Sequence, residues 1–307
     1  MGSTPDGILL VDKQEGESSF SVVRRVKRAL KASKVGHAGT LDPFATGLLV
    51  ILIGQGTKLF PYVASADKEY RATLCLGAET DTLDLTGRVV RTAPVPDLEP
   101  RFIREKAKEL EGEIEQSPPA YSAVHYEGKR AYELARKGVP MELATRKVRV
   151  HRLEVVSVEL PDVTLTLKCS KGTYVRSLAA ELGRRLGPGG HHKALRRISS
   201  GSFRVEDAVR LSGSGGRPED LGPHIIPLRN ALPHVREAAV SDETARMIGR
   251  GIQAGVPSRE FLAELPASFE GPVKLISENR MVALLRVVRR PEVEESRLEI
   301  MRVFAWE

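Results

Sequence analysis

Two hydrophobic periods alternate along the chain. Gly7 to Val11 is a short apolar run that ends in Asp12-Lys13 and predicts a strand. Ser18-Ser19 then stands before Phe20, Val22, Val23, Val26 and Leu30, whose spacing predicts a serine-capped helix. Leu48 to Ile53 is uninterrupted and apolar, the pattern of a strand buried on both faces. Tyr70 to Leu76 alternates polar with apolar, as a half-buried strand does, and so do Val163, Leu165, Leu167 and Cys169 ahead of Gly172. Helical spacing governs Leu98 to Glu111 and Ser177 to Leu186. Near the end, Ser241 to Arg250 predicts a helix with Ser241 as its cap, and Val273 to Ile276 and Met281 to Val288 predict strands.

Strands and helices follow one another without βαβ regularity and without internal repeats. The pattern therefore predicts an α+β fold whose mixed sheet is largely antiparallel. The length of 307 residues suits one large domain and one smaller one. Ser212-Gly213-Ser214-Gly215-Gly216-Arg217-Pro218 is the clearest linker-like segment and marks the expected border. A catalytic-size unit over residues 1–230 and a small β-rich unit over 235–307 follow.

Charge narrows the partner. Lys and Arg total 47 against 40 acidic residues, a formal net charge of +7, which favours a polyanion such as nucleic acid. The first predicted helix concentrates part of this excess in Arg24, Arg25, Lys27, Arg28 and Lys31, followed by Lys34. The two cysteines, Cys75 and Cys169, lie far apart with no metal-binding spacing, and the adjacent pair His191-His192 has no convergent partners. No signal-peptide pattern or membrane-length apolar run is present, so a cytoplasmic protein without membrane association is expected. Gly-x-Ser-x-Gly and Gly-x-x-x-x-Gly-Lys-Ser/Thr are both absent, which removes the common hydrolase and phosphate-loop readings.

The chemistry concentrates between Gly36 and Leu49. Pro43 bars the helical region to Asp42, while Gly36, Gly39 and Gly47 permit unusual backbone paths, so the sequence presents one carboxylate from a shaped loop. The whole run Gly36-His37-Ala38-Gly39-Thr40-Leu41-Asp42-Pro43-Phe44-Ala45-Thr46-Gly47-Leu48-Leu49 resembles the central motif of TruB-type tRNA pseudouridine synthases. Further segments resemble that family in order: Asp12-Lys13 with Gly16 and Ser18-Ser19, Lys68-Glu69-Tyr70, Gly77 with Thr80-Asp81-Thr82 and Asp84, Tyr121-Ser122-Ala123, Lys171-Gly172-Thr173-Tyr174-Val175-Arg176, and Leu195-Arg196-Arg197.

The resemblance implies a pseudouridine synthase catalytic domain with a PUA-like RNA-binding appendage. It also implies an enzyme that isomerises uridine 55 in the T-loop of tRNA, without cofactor or metal. Asp42 would be the catalytic carboxylate, ionised at neutral pH because free aspartate titrates at about 4. Glycosidases need two carboxylates because an alkoxide leaves and water attacks; uracil leaves as a delocalised anion and returns as the nucleophile, so one suffices. Arg176 would pair with Asp42, and Tyr70 would stack on the base and is a candidate for removing its C5 proton. On the substrate side the resemblance implies Tyr174 and Leu195 lining the base pocket, Lys13, and His37 taking the place of the flipped base.

Residues 118–147, with Tyr126, Tyr132, Lys129, Arg130, Arg136, Lys137, Arg146 and Lys147, resemble the family's RNA-gripping insertion; His125 stands where relatives carry Lys. The expected partner is the tRNA T-stem-loop, bound by a monomer with no obligate protein partner. Two other readings share the charge and the tyrosines: an RNA-binding or tRNA-folding protein, and a guide-dependent synthase acting on ribosomal RNA.

Overall fold

A computed structural model describes residues 6–211, 221–252, 269–290 and 295–304. The expected linker at 212–218 lies outside the described residues. In chain order the strands are β1 (Gly7–Lys13), β2 (Val35–His37), β3 (Thr46–Ile53), β4 (Lys68–Leu76), β5 (Ala78–Thr80), β6 (Val89–Thr92), β7 (Gly112–Gln116), β8 (His125–Tyr126), β9 (Lys129–Arg130), β10 (Arg146–Glu159), β11 (Asp162–Cys169), β12 (Gly190–Ser200), β13 (Phe203–Arg204), β14 (Ile226–Pro227), β15 (Arg236–Ala239), β16 (Gly271–Ser277), β17 (Arg280–Arg290) and β18 (Glu295–Val303). The helices are α1 (Ser19–Ala29), α2 (Phe60–Ala64), α3 (Pro100–Lys108), α4 (Ala131–Arg136), α5 (Val175–Leu186) and α6 (Asp242–Gly249).

One large sheet runs in the order β14-β1-β3-β12-β4-β11-β10-β7, with β2 on β3 and β13 on β12. Its pairings are antiparallel except β3 with β12, which is the mixed, largely antiparallel sheet the pattern predicts. A second sheet, β15-β16-β17-β18, forms a β-rich C-terminal unit.

The continuous apolar run of β3 has a direct cause: both faces of the sheet are covered there. Leu49, Ile51 and Ile53 join Leu9 and Val11 of β1 beneath α1 and α5. Leu48, Val50 and Leu52 join Ile8 and Leu10 on the opposite face, against Met281 and Leu284 of the C-terminal sheet and Phe304 just beyond its last strand. Period-2 side-chain alternation sends odd and even residues into two cores. The strands β4 and β11 have one covered face, and their sequences alternate accordingly.

Local signals hold as well. Ser18 caps α1 by accepting from the Ser21 amide, and Ser241 caps α6 by accepting from the Thr244 amide. Among the described residues no helix is long and apolar enough to cross a membrane. Gly47 is required where β3 meets β12: its φ is +98°, and a Cβ there would lie 2.3 Å from the Arg197 carbonyl oxygen.

Phe304 is 1 % exposed and joins the C-terminal sheet to the large one. Phe304→Ala is expected to destabilise the protein by about 3–5 kcal/mol in urea unfolding; a loss under about 1 kcal/mol would mean that the two sheets are not cohesive.

Candidate active site

The loop between β2 and β3 carries Asp42, and buried side chains from distant segments hold its residues one by one. Arg197, 1 % exposed on β12, donates from Nη2 to the Gly39 carbonyl at 3.1 Å, from Nη1 to that of Thr40 at 3.4 Å and from Nε to that of Leu48 at 2.7 Å. Ser19, in the first turn of α1, grips Leu41 twice: its hydroxyl donates to the Leu41 carbonyl at 3.0 Å and accepts from the Leu41 amide at 2.8 Å. Pro43 offers its carbonyl to the Gly16 amide at 2.9 Å and to the Lys13 ammonium at 3.1 Å. The loop is therefore built in place, with little freedom left for Asp42 to drift.

Asp42 itself meets Arg176 in a fork. Nη2 donates to Oδ1 at 3.1 Å and Nε to Oδ2 at 2.9 Å. Arg176 sits in the first turn of α5, where a cation opposes the helix dipole, and it is 5 % exposed. Both costs are met by its surroundings: besides Asp42 it donates to the carbonyls of Thr82 and Tyr121, each at 2.9 Å, and pairs with Asp84 Oδ2 at 3.5 Å. Asp84 is buried in turn, with Oδ1 accepting from the Thr82 hydroxyl at 2.8 Å, the Thr86 amide at 3.0 Å and the Thr86 hydroxyl at 2.5 Å.

Burial pushes the Asp42 carboxyl above the ordinary aspartate range; Arg176 pulls it back, Asp84 pushes it further up and Lys13 pulls it down, and the net direction is upward. Arg176 thus fixes the direction of the carboxylate and opposes, without outweighing, the upward push of burial.

The fork opens on a cleft lined by Asp42 and Arg176 together with Tyr70, Tyr174, Leu195 and Arg197. Tyr70 belongs to the hydrophobic core and also reaches the cleft wall. Burial raises its phenol above the ordinary tyrosine value, and the charge of Arg197 opposes the shift. The backbone of Tyr174 is clamped by the Gln116 side chain, which accepts from the amide at 2.7 Å and donates to the carbonyl at 3.0 Å. The Arg146 guanidinium lies 4.3 Å from the centre of the Tyr174 ring.

Asp42, Arg176, Tyr70, Tyr174 and Leu195 thus converge on one cleft. Two expected residues stand apart. His37 lies on β2 opposite Ile51, half-buried, and burial next to Arg197 lowers its pKa. Lys13 is 0 % exposed, its ammonium held by the carbonyls of Gln14 at 2.9 Å, Glu17 at 2.7 Å and Pro43 at 3.1 Å, and burial lowers it to about 8. So enclosed, Lys13 braces the loop from behind and does not face the cleft. Asp84, Gln116 and Arg197 are the contributors that sequence reasoning left without a role; their partners lie 92, 58 and 149 residues away, where no local pattern reaches.

The ring of His191 donates to the Ala78 carbonyl at 2.8 Å and that of His192 to the Val175 carbonyl at 3.0 Å. Among the described residues no group of three or more His, Cys, Asp or Glu side chains converges as a metal site.

Residues 27–175 match the model of the TruB family pseudouridylate synthase N-terminal domain. A protein of Syntrophobacter fumaroxidans named tRNA pseudouridine synthase B is 42% identical over 286 residues, 92% of this chain and 92% of that one. This chain belongs to the TruB family of pseudouridine synthases. A second family member of the same name, from Syntrophus aciditrophicus, is 40% identical over 97% of this chain and 98% of its own length. Among solved structures, a Cbf5-Nop10-Gar1 complex matches with a TM-score of 0.69 and 25% identity, covering 98% of this chain and 84% of that one. The fold is that of a pseudouridine synthase, and the TruB family is one of isomerases.

A carboxyl-carbon NMR titration of aspartate-labelled protein should give Asp42 a midpoint above about 4, the ordinary aspartate value. Because the Asp84 charge raises Asp42, Asp84→Asn should move that midpoint down. An upward or absent shift would show that Asp84 does not act on Asp42 through its charge.

Proposed function

We propose that this protein isomerises uridine 55 in the T-loop of tRNA to pseudouridine, with Asp42 as the catalytic carboxylate. The observation that carries the reading is one carboxylate, forked to a buried arginine, at the wall of a cleft whose other lining groups include Tyr70, Tyr174 and Leu195. A flat, uncharged base suits such a slot, and among the described residues the cleft lining holds no second carboxylate of the kind that hydrolysis would use. Relatives named tRNA pseudouridine synthase B, similar over nearly the whole chain, support tRNA as the substrate.

Asp42 acts at the ribose as nucleophile or base. The N-glycosidic bond breaks, the uracil anion turns, a C5–C1′ bond forms and the C5 proton leaves. Tyr70 stacks on the base and is the candidate to take that proton. Its raised phenol is neutral in the resting cleft, so accepting a proton requires its own to leave at the same time. A uridine stacked in a folded loop is out of reach of Asp42, so the nucleotide must be flipped, at a cost of a few kcal/mol; His37, at the edge of the same loop, fills the gap it leaves.

The catalytic domain spans 1–230 with the RNA-gripping insertion over 118–147, and residues 235–307 form a PUA-like domain that binds RNA. No cofactor or metal takes part, and the protein works as a cytoplasmic monomer. A guide-dependent reading draws on solved neighbours such as the H/ACA ribonucleoprotein bound to a substrate RNA, matched at a TM-score of 0.68 and 24% identity. The 42% identity of a tRNA pseudouridine synthase B favours the stand-alone tRNA enzyme.

The test is tritium release from a tRNA transcript labelled at C5 of uridine, beside one carrying cytidine at position 55. Release from the first alone is expected, and Asp42→Asn should abolish it while tRNA binding remains. Arg176→Lys cannot reproduce the fork and should lower turnover on the order of 100-fold with a much smaller change in affinity. Equal release from both transcripts would overturn the site, and release by the Asn variant would overturn the role of Asp42.

A further inference from the structure

The helix α1 carries a row of cations that the cleft does not use. Its exposed side presents Phe20, Arg24, Lys27 and Arg28, and Lys31 and Lys34 continue the row beyond its last turn. Among the described residues, none of Arg24, Lys27, Arg28, Lys31 and Lys34 has a carboxylate at salt-bridge distance, whereas Arg25 on the same helix pairs with Glu17.

The exposed helix α3 is a contrast: of its four cations only Arg104 has no carboxylate at salt-bridge distance among the described residues. On α3 and just beyond it, Arg101 pairs with Glu105, Lys106 with Glu109 and Lys108 with Glu111. Like charges three and four residues apart, as Arg24 is from Lys27 and Arg28, destabilise a helix. The dipole compensates only for the last turn, where Lys27 and Arg28 lie. It explains neither Arg24 nor the ring of Phe20, 64 % exposed with the Arg24 guanidinium 5.3 Å from its centre. An exposed aromatic beside unpaired cations has the chemistry of a nucleotide-stacking and phosphate-binding surface.

Location gives the row a partner. Ser19, adjacent to Phe20, is the residue that grips Leu41, so the row begins beside the loop that carries Asp42. At its far end Lys34 accepts the Gly54 amide on its carbonyl, and the Lys34 charge is felt at Lys58, whose ammonium donates to the Val303 carbonyl of the C-terminal sheet at 2.7 Å. The row thus leads from the catalytic loop toward the joint between the two sheets. From Arg24 to Lys31 it covers roughly 10 Å at 1.5 Å per residue, the reach of two or three phosphates of one strand.

We infer that the α1 row is a phosphate track that holds the RNA backbone flanking the flipped nucleotide, outside the cleft and the insertion. This rests on the tRNA reading above. It adds a second grip on the same molecule and ties that grip, through Ser19, to the position of Leu41 next to Asp42.

The experiment measures the dissociation constant of an unmodified full-length tRNA transcript at several salt concentrations, with tritium release followed in parallel. Four proteins are compared: wild type, the triple variant Arg24→Ala/Arg28→Ala/Lys31→Ala, a control triple Arg101→Ala/Arg104→Ala/Lys108→Ala that removes the same charge from α3, and the charge-keeping double Arg24→Lys/Arg28→Lys. Alanine favours helix at these exposed positions, and circular dichroism checks folding.

The α1 triple should weaken binding on the order of 10- to 100-fold near 0.1 M salt and lower the slope of log affinity against log salt by about 2 to 3, with the loss concentrated in affinity rather than in the rate at saturating enzyme. The α3 triple should change neither by more than about twofold. Arg24→Lys/Arg28→Lys should bind like wild type, since phosphate contacts need charge. An equal effect of both triples would reduce the matter to net charge and overturn the track; so would an unchanged slope in the α1 triple. Failure of the wild type to release tritium or bind tRNA would instead refute the substrate reading, and the track with it.

Discussion

A guanidinium buried at the positive end of a helix must be surrounded by acceptors, and the site is organised around that requirement at Arg176. Its four acceptor residues come from three separate stretches of chain: Asp42 on the loop before β3, Thr82 and Asp84 after β5, and Tyr121 ahead of β8. None of these stretches is regular structure where it touches the arginine. Losing the charge of Asp42 or Asp84 takes a counter-ion from a buried guanidinium and costs stability, with the remaining acceptors still in place. The fork to Asp42 is thus a consequence of burying Arg176 as much as a device for chemistry, and the direction of the carboxylate is inherited from the fold.

Much of this was legible in the letters because the relevant signals are local. The Pro43 and glycine pattern located the shaped loop, Ser18 and Ser241 announced their helices, and the unbroken Leu48–Ile53 run announced a strand covered on both faces. The strand β12 was not legible from its pattern. Gly190–Ser200 contains His191, His192, Lys193, Arg196 and Arg197, yet it lies between β3 and β4 inside the sheet. It is tolerated there because the polar atoms find remote partners: His192 a carbonyl on α5, Arg197 three carbonyls near β3, and Arg196 the carboxylate of Asp12 at 2.9 Å. Lys13 likewise ends an apolar run, and the fold supplies three carbonyls around its ammonium.

The sheet and the loop also depend on each other through Arg197. Its backbone forms the parallel pairing with Gly47, and its side chain reaches back to Gly39 and Thr40. A single residue therefore sets both the register of β12 on β3 and the path of the chain into Asp42. Packing on both faces then makes that register costly to change, because a one-residue slip would exchange the two apolar sets of β3 between cores of different shape.

Lys13 and Arg197 share a choice of ligand that bears on Asp42. Both are buried cations beside the loop, and both are held by neutral carbonyl oxygens. Carboxylate partners would have satisfied them equally well as hydrogen-bond acceptors. They would also have placed further negative charge near Asp42, and the effect of Asp84 shows the direction: it raises the proton affinity of Asp42, whereas Lys13 lowers it. Carbonyl ligation keeps the positive charge of both groups uncancelled at short range. At Asp42 the charge of Lys13 opposes protonation without outweighing burial, and the positive charge of the pair favours an approaching polyanion. Neutral ligands thus leave the charge of Lys13 free to act on Asp42, against the larger upward push of burial.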